Sequence, residues 1–248
     1  MLWEKMRKDN RTNDNMRDIT FEVNYIKNPH GSCLVKVGNT WVLCTASIED
    51  KVPPFLRNTG KGWITAEYSM LPGSTSERVM REIVKGKQSG RTLEIQRLIS
   101  RALRSSVNLE LLGERMITID CDVLQADGGT RTAAINGGYV ALQIALRSLN
   151  KRGLLHRLPF MRHIAAISCG VVNGEVMLDL DYLEDSSADV DANFICGSDG
   201  SFIEVQFTAE KNTFSQDTML LMLDRAKSAC TNIIDKAKDA ILSAVGEV

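Results

Sequence analysis

Two short stretches of the sequence combine arginine with the flexible backbone that an anion-binding site needs. In the first, Gly128, Gly129, Thr130 and Arg131 follow an alternating strand pattern and open a predicted helix. Glycines at such a point let backbone N–H groups approach an oxyanion, the threonine adds a hydroxyl donor, and the arginine presents a planar fork to phosphate. A Gly-Gly-Thr sequence alone is also typical of a tight strand-to-helix connection, so it indicates a phosphate site only together with other signals.

The second stretch, residues 85 to 91, places lysines and glycines directly before a predicted helix and ends at Arg91. Free N–H groups and the helix dipole favour an anion at such an N-terminus. The surrounding region from Glu77 to Arg104 holds eight basic residues against three acidic ones. A solvated helix face is the alternative explanation for that charge. Neither stretch fits the GxxxxGK[ST] or GxGxxG fingerprints, so we predict a phosphate pocket of another kind.

An acidic cluster lies near the end of a predicted strand, and it contains Asp179, Asp181, Glu184, Asp185, Asp189 and Asp191. Hard oxygen ligands gathered in this way suit Mg²⁺, which takes one or two carboxylates together with waters and substrate phosphate oxygens. An acidic surface loop is the alternative. The alternation of Asp179 and Asp181 along the strand predicts that these two side chains face solvent.

Hydrophobic periodicity predicts strands and helices in alternating groups. Strands are predicted at residues 19 to 26, 32 to 47 with a turn at Gly38-Asn39, 63 to 70, 117 to 123, 164 to 172 and 176 to 182. Asn173-Gly174 is a strong hairpin turn between the last two, and a further hairpin is predicted around residues 197 to 200. Helices are predicted at residues 92 to 106, 131 to 149 and 217 to 245, the last one capped by Ser215.

This order of elements predicts an α+β fold in a single domain that spans residues 1 to 248, with a two-layer arrangement of sheet and helix. Each half begins with a hairpin followed by further strands and helices, which indicates a distant internal duplication. The helix at 131 to 149 is rich in alanine and glycine. That composition predicts close packing of its backbone against neighbouring elements.

Composition excludes several classes of protein. The chain has 248 residues, with 30 Lys+Arg against 31 Asp+Glu, which is ordinary for a globular protein. The longest stretch without charge, residues 132 to 146, is too short to cross a bilayer, and the N-terminus does not resemble a signal peptide, so we expect a cytoplasmic location. The six cysteines form no CxxC pair, which predicts reduced, buried thiols rather than a zinc site.

Four motifs in order resemble the ribonuclease PH family. They are GWITAEY at residues 62 to 68, GKQSGRTLEIQRLI at 86 to 99, DCDVLQADGGTRT at 120 to 132 and EDSSADVDAN at 184 to 193. The resemblance covers the chain from about residue 6 to its last helix, and residues 1 to 5 look like a short N-terminal extension. It implies the ribonuclease PH-like fold and a hexameric ring made of three dimers.

The resemblance also implies a phosphorolytic 3′→5′ exoribonuclease that trims the 3′ ends of transfer RNA precursors and acts on other RNA 3′ ends. Orthophosphate is the co-substrate, nucleoside diphosphates are released, and the reaction is reversible. By position, the phosphate-binding residues are Arg91, Gly129, Thr130 and Arg131, the RNA-binding residues are Arg78 and Arg81, and the catalytic carboxylates are Asp185 and Asp191. The same two carboxylates would bind Mg²⁺ or Mn²⁺. One of them could instead act as a general acid, and the sequence does not show which.

Three positions depart from the family pattern: Asn10 stands for a usual glycine, Gly73 for a frequent arginine, and Asn136 for a frequent threonine. Gly73 could weaken RNA contact, but none of the three removes a proposed catalytic group. Two other functions stay open. One is a catalytically silent, exosome-type subunit that holds RNA in a ring, and the other is a metal-dependent nuclease that uses water.

Overall fold

The computed structural model describes residues 7 to 246, so the extension predicted at residues 1 to 5 lies outside the described part of the chain. The first half contains strands β1 (Ile19–Val23), β2 (Gly31–Val37), β3 (Thr40–Glu49), β4 (Trp63–Met70) and β5 (Met116–Gln125), and helices α1 (Gly90–Arg104), α2 (Leu109–Leu112) and α3 (Thr130–Lys151). The second half contains β6 (Ile164–Val172), β7 (Glu175–Leu178), α4 (Tyr182–Ser187), β8 (Val190–Gly197), β9 (Phe202–Ala209) and α5 (Gln216–Val245). Single-turn 3₁₀ helices occupy Pro54–Leu56 and Glu82–Lys85.

The strands form two separate sheets, one in each half. The first sheet has the order β1-β2-β3-β5-β4, and only β4 and β5 in it are parallel because the α1 crossover joins them. The second has the order β7-β6-β8-β9 and is antiparallel throughout. Asn173 and Gly174 both have positive φ angles, 52° and 79°, as the predicted hairpin turn requires. The predicted α+β class is confirmed.

Helix α3 forms the centre of the molecule. It packs against β2 and β3 of the first sheet, against β6 of the second, and against α1 and α5. A Cβ atom at Gly137 would lie 2.6 Å from Val35 Cγ1 and 2.8 Å from Cys44 Sγ, and one at Gly138 would lie 3.1 Å from Ile119 Cγ2. The alanine and glycine content of this helix therefore permits the close packing that the composition predicts.

Asn136 provides a polar link between the two halves inside this core. Its Nδ2 donates to the carbonyl of Ala166 at 2.9 Å, and its Oδ1 accepts from the Ala166 N–H at 2.8 Å. Ala166 lies in β6 beyond the part that pairs with β7. The buried amide of Asn136 thus satisfies a backbone edge that no neighbouring strand covers there, which a threonine with one hydroxyl would do only in part.

Replacing Asn136 with alanine is expected to destabilise the protein by about 2 to 4 kcal/mol, because two buried backbone groups of Ala166 lose their partners. Urea unfolding measures the change. The exposed Asn28 provides a control, since its alanine variant should stay within about 0.5 kcal/mol of the parent. Equal stability of both variants would contradict the role of Asn136.

Two predicted strands end earlier than expected, each at a residue with a left-handed backbone. The first strand ends at Val23 because Asn24 has a φ of 53°, and β7 ends at Leu178 because Asp179 has a φ of 52°. The prediction that Asp179 and Asp181 face solvent was wrong for Asp179, which is 1% exposed and bonded to Arg17. Asp181 is the N-cap of α4 and accepts the Glu184 N–H at 2.9 Å.

The cysteines and the cap of α5 agree with the sequence predictions. All six cysteines are free and buried, as predicted. Between residues 7 and 246, no helix combines the length and the apolar character that a bilayer crossing needs. Ser215 caps α5 as predicted and accepts the Thr218 N–H at 3.1 Å.

Candidate active site

The loop before α3 has the backbone geometry of an anion site. Gly128 and Gly129 have φ angles of 74° and 66°, and Gly129 is the N-cap of the helix, where it offers no side chain to the first N–H groups. A Cβ atom at Gly128 would lie 2.5 Å from the carbonyl oxygen of Leu180, so only glycine fits there. The open N-terminus of a 22-residue helix therefore follows directly on two glycines.

Thr130 is buried at the start of α3, where its hydroxyl accepts a hydrogen bond of 2.8 Å from the Tyr68 phenol. Because the phenol donates, the proton of the Thr130 hydroxyl remains available to an anion. Burial raises the pKa of Tyr68, while the bond to Thr130 and the charges of Arg91 and Arg131 oppose that shift. Tyr68 thus lies near both predicted phosphate-binding arginines.

Arg91 is the second residue of α1, and a small hydrogen-bonded network fixes the start of that helix. Ser89 caps it by accepting the Thr92 N–H at 3.1 Å. Glu82 in turn accepts from the Thr92 hydroxyl at 2.7 Å and from the Ser89 N–H at 3.2 Å. The Arg91 side chain is exposed, so it can reach an anion from a fixed helix N-terminus.

One polar cleft of about 800 Å³ brings four of the predicted residues together, and Gly129 and Thr130 immediately precede one of them, Arg131, without lining the cleft. Arg91 of α1, Arg131 of α3, Asp185 of α4 and Asp191 of β8 all line it. The other polar and charged side chains around it belong mainly to β8, to β9 and to the residues just after β9, and they include Asn193, Gln206, Thr208, Glu210 and Lys211. Four segments that are distant in sequence therefore meet at one polar site.

The two carboxylates interact with each other and with both arginines. Burial raises the pKa of Asp191, and the neighbouring charge of Asp185 raises it further, while Arg131 and Arg91 oppose the shift. Burial also raises the pKa of Asp185, and the charges of Arg131 and Arg91 oppose that shift. The cleft thus presents a pair of adjacent carboxylates that favours a cation and a pair of arginines that favours an anion.

This donor set fits Mg²⁺. No group of three or more histidine, cysteine or acidic side chains is arranged for a metal within the described residues. A dedicated protein cage would require such a group, whereas Mg²⁺ commonly takes one or two carboxylates and completes its shell with water and phosphate oxygens. Asp185 and Asp191 offer hard oxygen ligands of that kind in the same cleft as Arg91 and Arg131.

The two arginines predicted to bind RNA lie outside this cleft. Arg81 lines a neighbouring cleft of about 790 Å³ together with Lys85 and Lys87, and Arg91 contributes to both clefts. Arg78 is exposed and lines neither of the two. The structure thus connects Arg81 with the candidate active site through Arg91, and it places Arg78 on the adjoining surface.

The structure adds residues that the sequence interpretation gave no role. Tyr68 is one of them, and a tyrosine at an inward position of a strand is a signal, because a buried phenol needs a polar partner. Asn193 and Glu210 also line the cleft; Asn193 closes the acidic motif at residues 184 to 193, whereas the sequence context of Glu210 carried no signal. At Gly73 no atom lies within 4 Å of an added Cβ, so packing does not require glycine there.

A cleft with two arginines beside a carboxylate pair is suited to phosphoryl transfer on a polyanionic substrate. The chain belongs to the ribonuclease PH family of 3′ exoribonucleases: the model for domain 1 of the 3′ exoribonuclease family matches residues 15–147, and that for domain 2 matches residues 163–229. It is 54% identical over 236 residues to the ribonuclease PH of Methylocella silvestris, covering 95% of this chain and all of that protein.

Solved structures share the fold. The rice (Oryza sativa) Rrp46 structure has a TM-score of 0.76 at 21% identity. The match covers 95% of this chain and 100% of the Rrp46 chain. The Archaeoglobus fulgidus exosome with RNA bound to its active site has a TM-score of 0.79 at 20% identity, with 95% and 94% of the two chains covered. The resemblance to the ribonuclease PH family is therefore confirmed, and the chain is a phosphorolytic 3′→5′ exoribonuclease.

Proposed function

We propose that the polar cleft carries the phosphorolytic reaction on the 3′ ends of transfer RNA precursors and of other RNAs. The observation that carries this proposal is the meeting of Arg91, Arg131, Asp185 and Asp191 in one cleft. Orthophosphate binds between the arginines and the N-terminus of α3, where Gly129 and Thr130 supply further donors. The last phosphodiester of the RNA lies beside the two aspartates.

The reaction exchanges one P–O bond for another. An oxygen of orthophosphate forms a bond to the phosphorus of the last phosphodiester, and the bond from that phosphorus to the 3′ oxygen of the preceding nucleotide breaks. The last nucleotide leaves as a nucleoside diphosphate, and the shortened RNA keeps its 3′ oxygen, which takes up a proton. The same steps in reverse add a nucleotide from a nucleoside diphosphate.

Electrostatic repulsion is the main barrier to this attack, because a phosphate dianion must approach the polyanionic RNA. Arg91 and Arg131 neutralise the attacking phosphate, and bidentate contacts orient it for in-line transfer. Asp185 and Asp191 would hold Mg²⁺, with Mn²⁺ as an alternative ion, and the bound cation would stabilise charge that grows on the phosphate and the leaving oxygen. Positioning and electrostatic stabilisation supply most of the catalysis in transfers of this type.

RNA binding and assembly complete the proposal. Arg78 and Arg81 guide the RNA toward the cleft, in line with the basic surplus between Glu77 and Arg104. We propose a homo-hexameric ring made of three dimers, in which the basic regions of neighbouring subunits converge. A ring would explain how a chain with a net charge of −1 holds RNA. We place the enzyme in the cytoplasm. We also propose that residues 1 to 248 form a single domain, since one hydrophobic core joins both sheets within residues 7 to 246.

A product assay tests the proposal. RNA with a labelled 3′-terminal nucleotide is incubated with the protein and Mg²⁺, with and without orthophosphate. We expect labelled nucleoside diphosphate only when phosphate is present. Nucleoside monophosphate without phosphate would indicate a hydrolase, and RNA that is bound by an assembled ring but left intact would indicate a silent subunit.

A further inference from the structure

Arg17 joins two segments that are far apart in the sequence. Its backbone N–H and its Nε donate to Asp179 Oδ2 at 2.7 and 2.9 Å, and its Nη2 donates to Asp179 Oδ1 at 2.7 Å. Its Nη1 donates to the carbonyl of Asp127, and its Nη2 lies 3.4 Å from the carbonyl oxygen of Gly128. Arg17 is 7% exposed and Asp179 1%. The ion pair is therefore a buried link to the loop that precedes α3.

The carbonyls that Arg17 holds determine where the N–H groups of the loop point. The peptide bonds within the described residues are trans, so the N–H of each unit points away from its carbonyl. The Asp127 carbonyl shares a peptide unit with the Gly128 N–H, and the Gly128 carbonyl shares one with the Gly129 N–H. Neither N–H has a hydrogen-bond acceptor within residues 7 to 246. Arg17 thus fixes the orientation of two N–H donors without acceptors in the loop that precedes α3.

Thr40 holds the same loop from another side without any charge. Its hydroxyl donates to the carbonyl of Gly128 at 2.6 Å and accepts the Asp127 N–H at 3.0 Å. The residue is fully buried at the start of β3. Arg17 and Thr40 therefore constrain the same peptide unit through independent contacts.

Arg7 makes a parallel set of contacts that includes Glu184, and it shares Asp179 with Arg17 through the backbone carbonyl rather than the carboxylate. Its Nε donates to Glu184 Oε1 at 2.7 Å, and its Nη1 and Nη2 donate to the carbonyls of Leu178 and Asp179 at 2.7 and 2.8 Å. Glu184 belongs to the capping box of α4, the helix that carries Asp185. Burial opposes the charge on Glu184, but the bonds from Arg7 keep its pKa below the ordinary value.

We propose that Arg17 is a positioning residue for orthophosphate: through Asp179 and the carbonyls of residues 127 and 128 it aims the N–H groups of Gly128 and Gly129 at the attacking phosphate. This inference rests on the proposed phosphate pocket at residues 129 to 131. Arg7 instead positions a catalytic carboxylate, because its contacts orient the short helix that carries Asp185. Residues 7 to 17 therefore support the nucleophile and the carboxylates through separate arginines.

Lysine cannot replace Arg17 in this role. The planar guanidinium bonds both carboxylate oxygens of Asp179 and reaches the carbonyls of residues 127, 128 and 180 at once, whereas a lysine ammonium is a single point of charge. An Arg17→Lys variant keeps the charge beside Asp179 but releases the loop. Small losses of orientation at a reacting group reduce rates strongly. Removal of a residue that orients a metal ligand commonly costs about 10- to 100-fold in metal affinity or activity, and we expect an effect of the same order for a residue that orients phosphate donors.

The test compares Arg17→Lys and Thr40→Val with Arg7→Lys in steady-state phosphorolysis. For Arg17→Lys we expect the KM for orthophosphate to rise roughly 10- to 100-fold, while the KM for RNA changes less than about threefold. Thr40→Val should also raise the KM for orthophosphate more than the KM for RNA, and it does so without altering any charge. Arg7→Lys provides the matched control: it should lower kcat and leave the KM for orthophosphate within about threefold.

A second measurement does not depend on turnover. Orthophosphate should raise the Tm of the parent and of Arg7→Lys, and it should raise the Tm of Arg17→Lys much less at the same phosphate concentration. Equal effects of Arg17→Lys and Arg7→Lys on both KM values and on the phosphate-induced Tm rise would reduce both arginines to structural supports and overturn the inference. If Arg131→Ala, which removes the charge as well as the planar fork, also leaves the KM for orthophosphate unchanged, the proposed pocket itself is overturned.

Discussion

Asp191→Asn is expected to lower kcat for nucleoside diphosphate release by roughly 10²- to 10³-fold, the usual cost of removing one group that stabilises transition-state charge. The substitution keeps the size of the side chain and removes its charge. Asp191 lines the same cleft as Asp185 and both arginines, so the loss takes away half of the carboxylate pair that the proposed cation needs. Asp185→Asn should have an effect of the same order.

Release of labelled nucleotide at saturating RNA and phosphate measures this prediction, and the Mg²⁺ concentration at half-maximal rate should rise in both variants. Asp189 provides a control from the same acidic cluster. Its carboxylate accepts from Asn212 Nδ2 at 3.3 Å and does not line the cleft, so Asp189→Asn should stay within about threefold of the parent. Equal losses in Asp189→Asn and Asp191→Asn would indicate a general effect of surface charge rather than a site.

Local signals were sufficient to predict most of the fold. The Gly38-Asn39 and Asn173-Gly174 turns were predicted because few residues tolerate the positive φ angles that such turns need. The alternation along β5 and the apolar pattern of α5 depend only on which face of each element is buried, whereas α3 is buried on nearly all sides and was predicted from its composition and its position after Gly128 and Gly129. Asn10 is a further example: its φ of 64° explains why a family position that usually holds glycine accepts asparagine.

The candidate site was predictable for a related reason. Arg91 and Arg131 each follow a glycine-containing loop at a helix start, and Asp185 and Asp191 flank the start of β8, so each has a recognisable local context. That they meet in one cleft follows from tertiary packing, which spacing does not encode. The family resemblance supplied the grouping before the structure did.

Long-range polar contacts were beyond sequence reasoning. Arg17 and Asp179 are 162 residues apart, and each looks like an ordinary surface residue in its own segment. The alternation of Asp179 and Asp181 suggested a continuing strand, whereas the left-handed backbone at Asp179 ends the strand and turns its carboxylate inward to Arg17. A buried ion pair is recognisable only once both partners are placed, because burial of either charge alone would be strongly unfavourable.

The other large effect concerns the nucleophile: Arg131→Lys should raise the KM for orthophosphate roughly 10- to 100-fold, and Arg91→Lys should act in the same direction. Lysine keeps the positive charge but loses the planar fork that binds two phosphate oxygens at once, so a purely electrostatic pocket would tolerate the change and a bidentate one would not. Arg97→Lys is the control, because Arg97 is exposed on α1 and lines neither cleft. This variant should keep the KM for orthophosphate within about threefold of the parent value. Initial rates against phosphate concentration distinguish these cases. Unchanged KM values in both pocket variants would mean that charge alone holds the phosphate, and the two arginine-bearing helix starts would then have no geometric role.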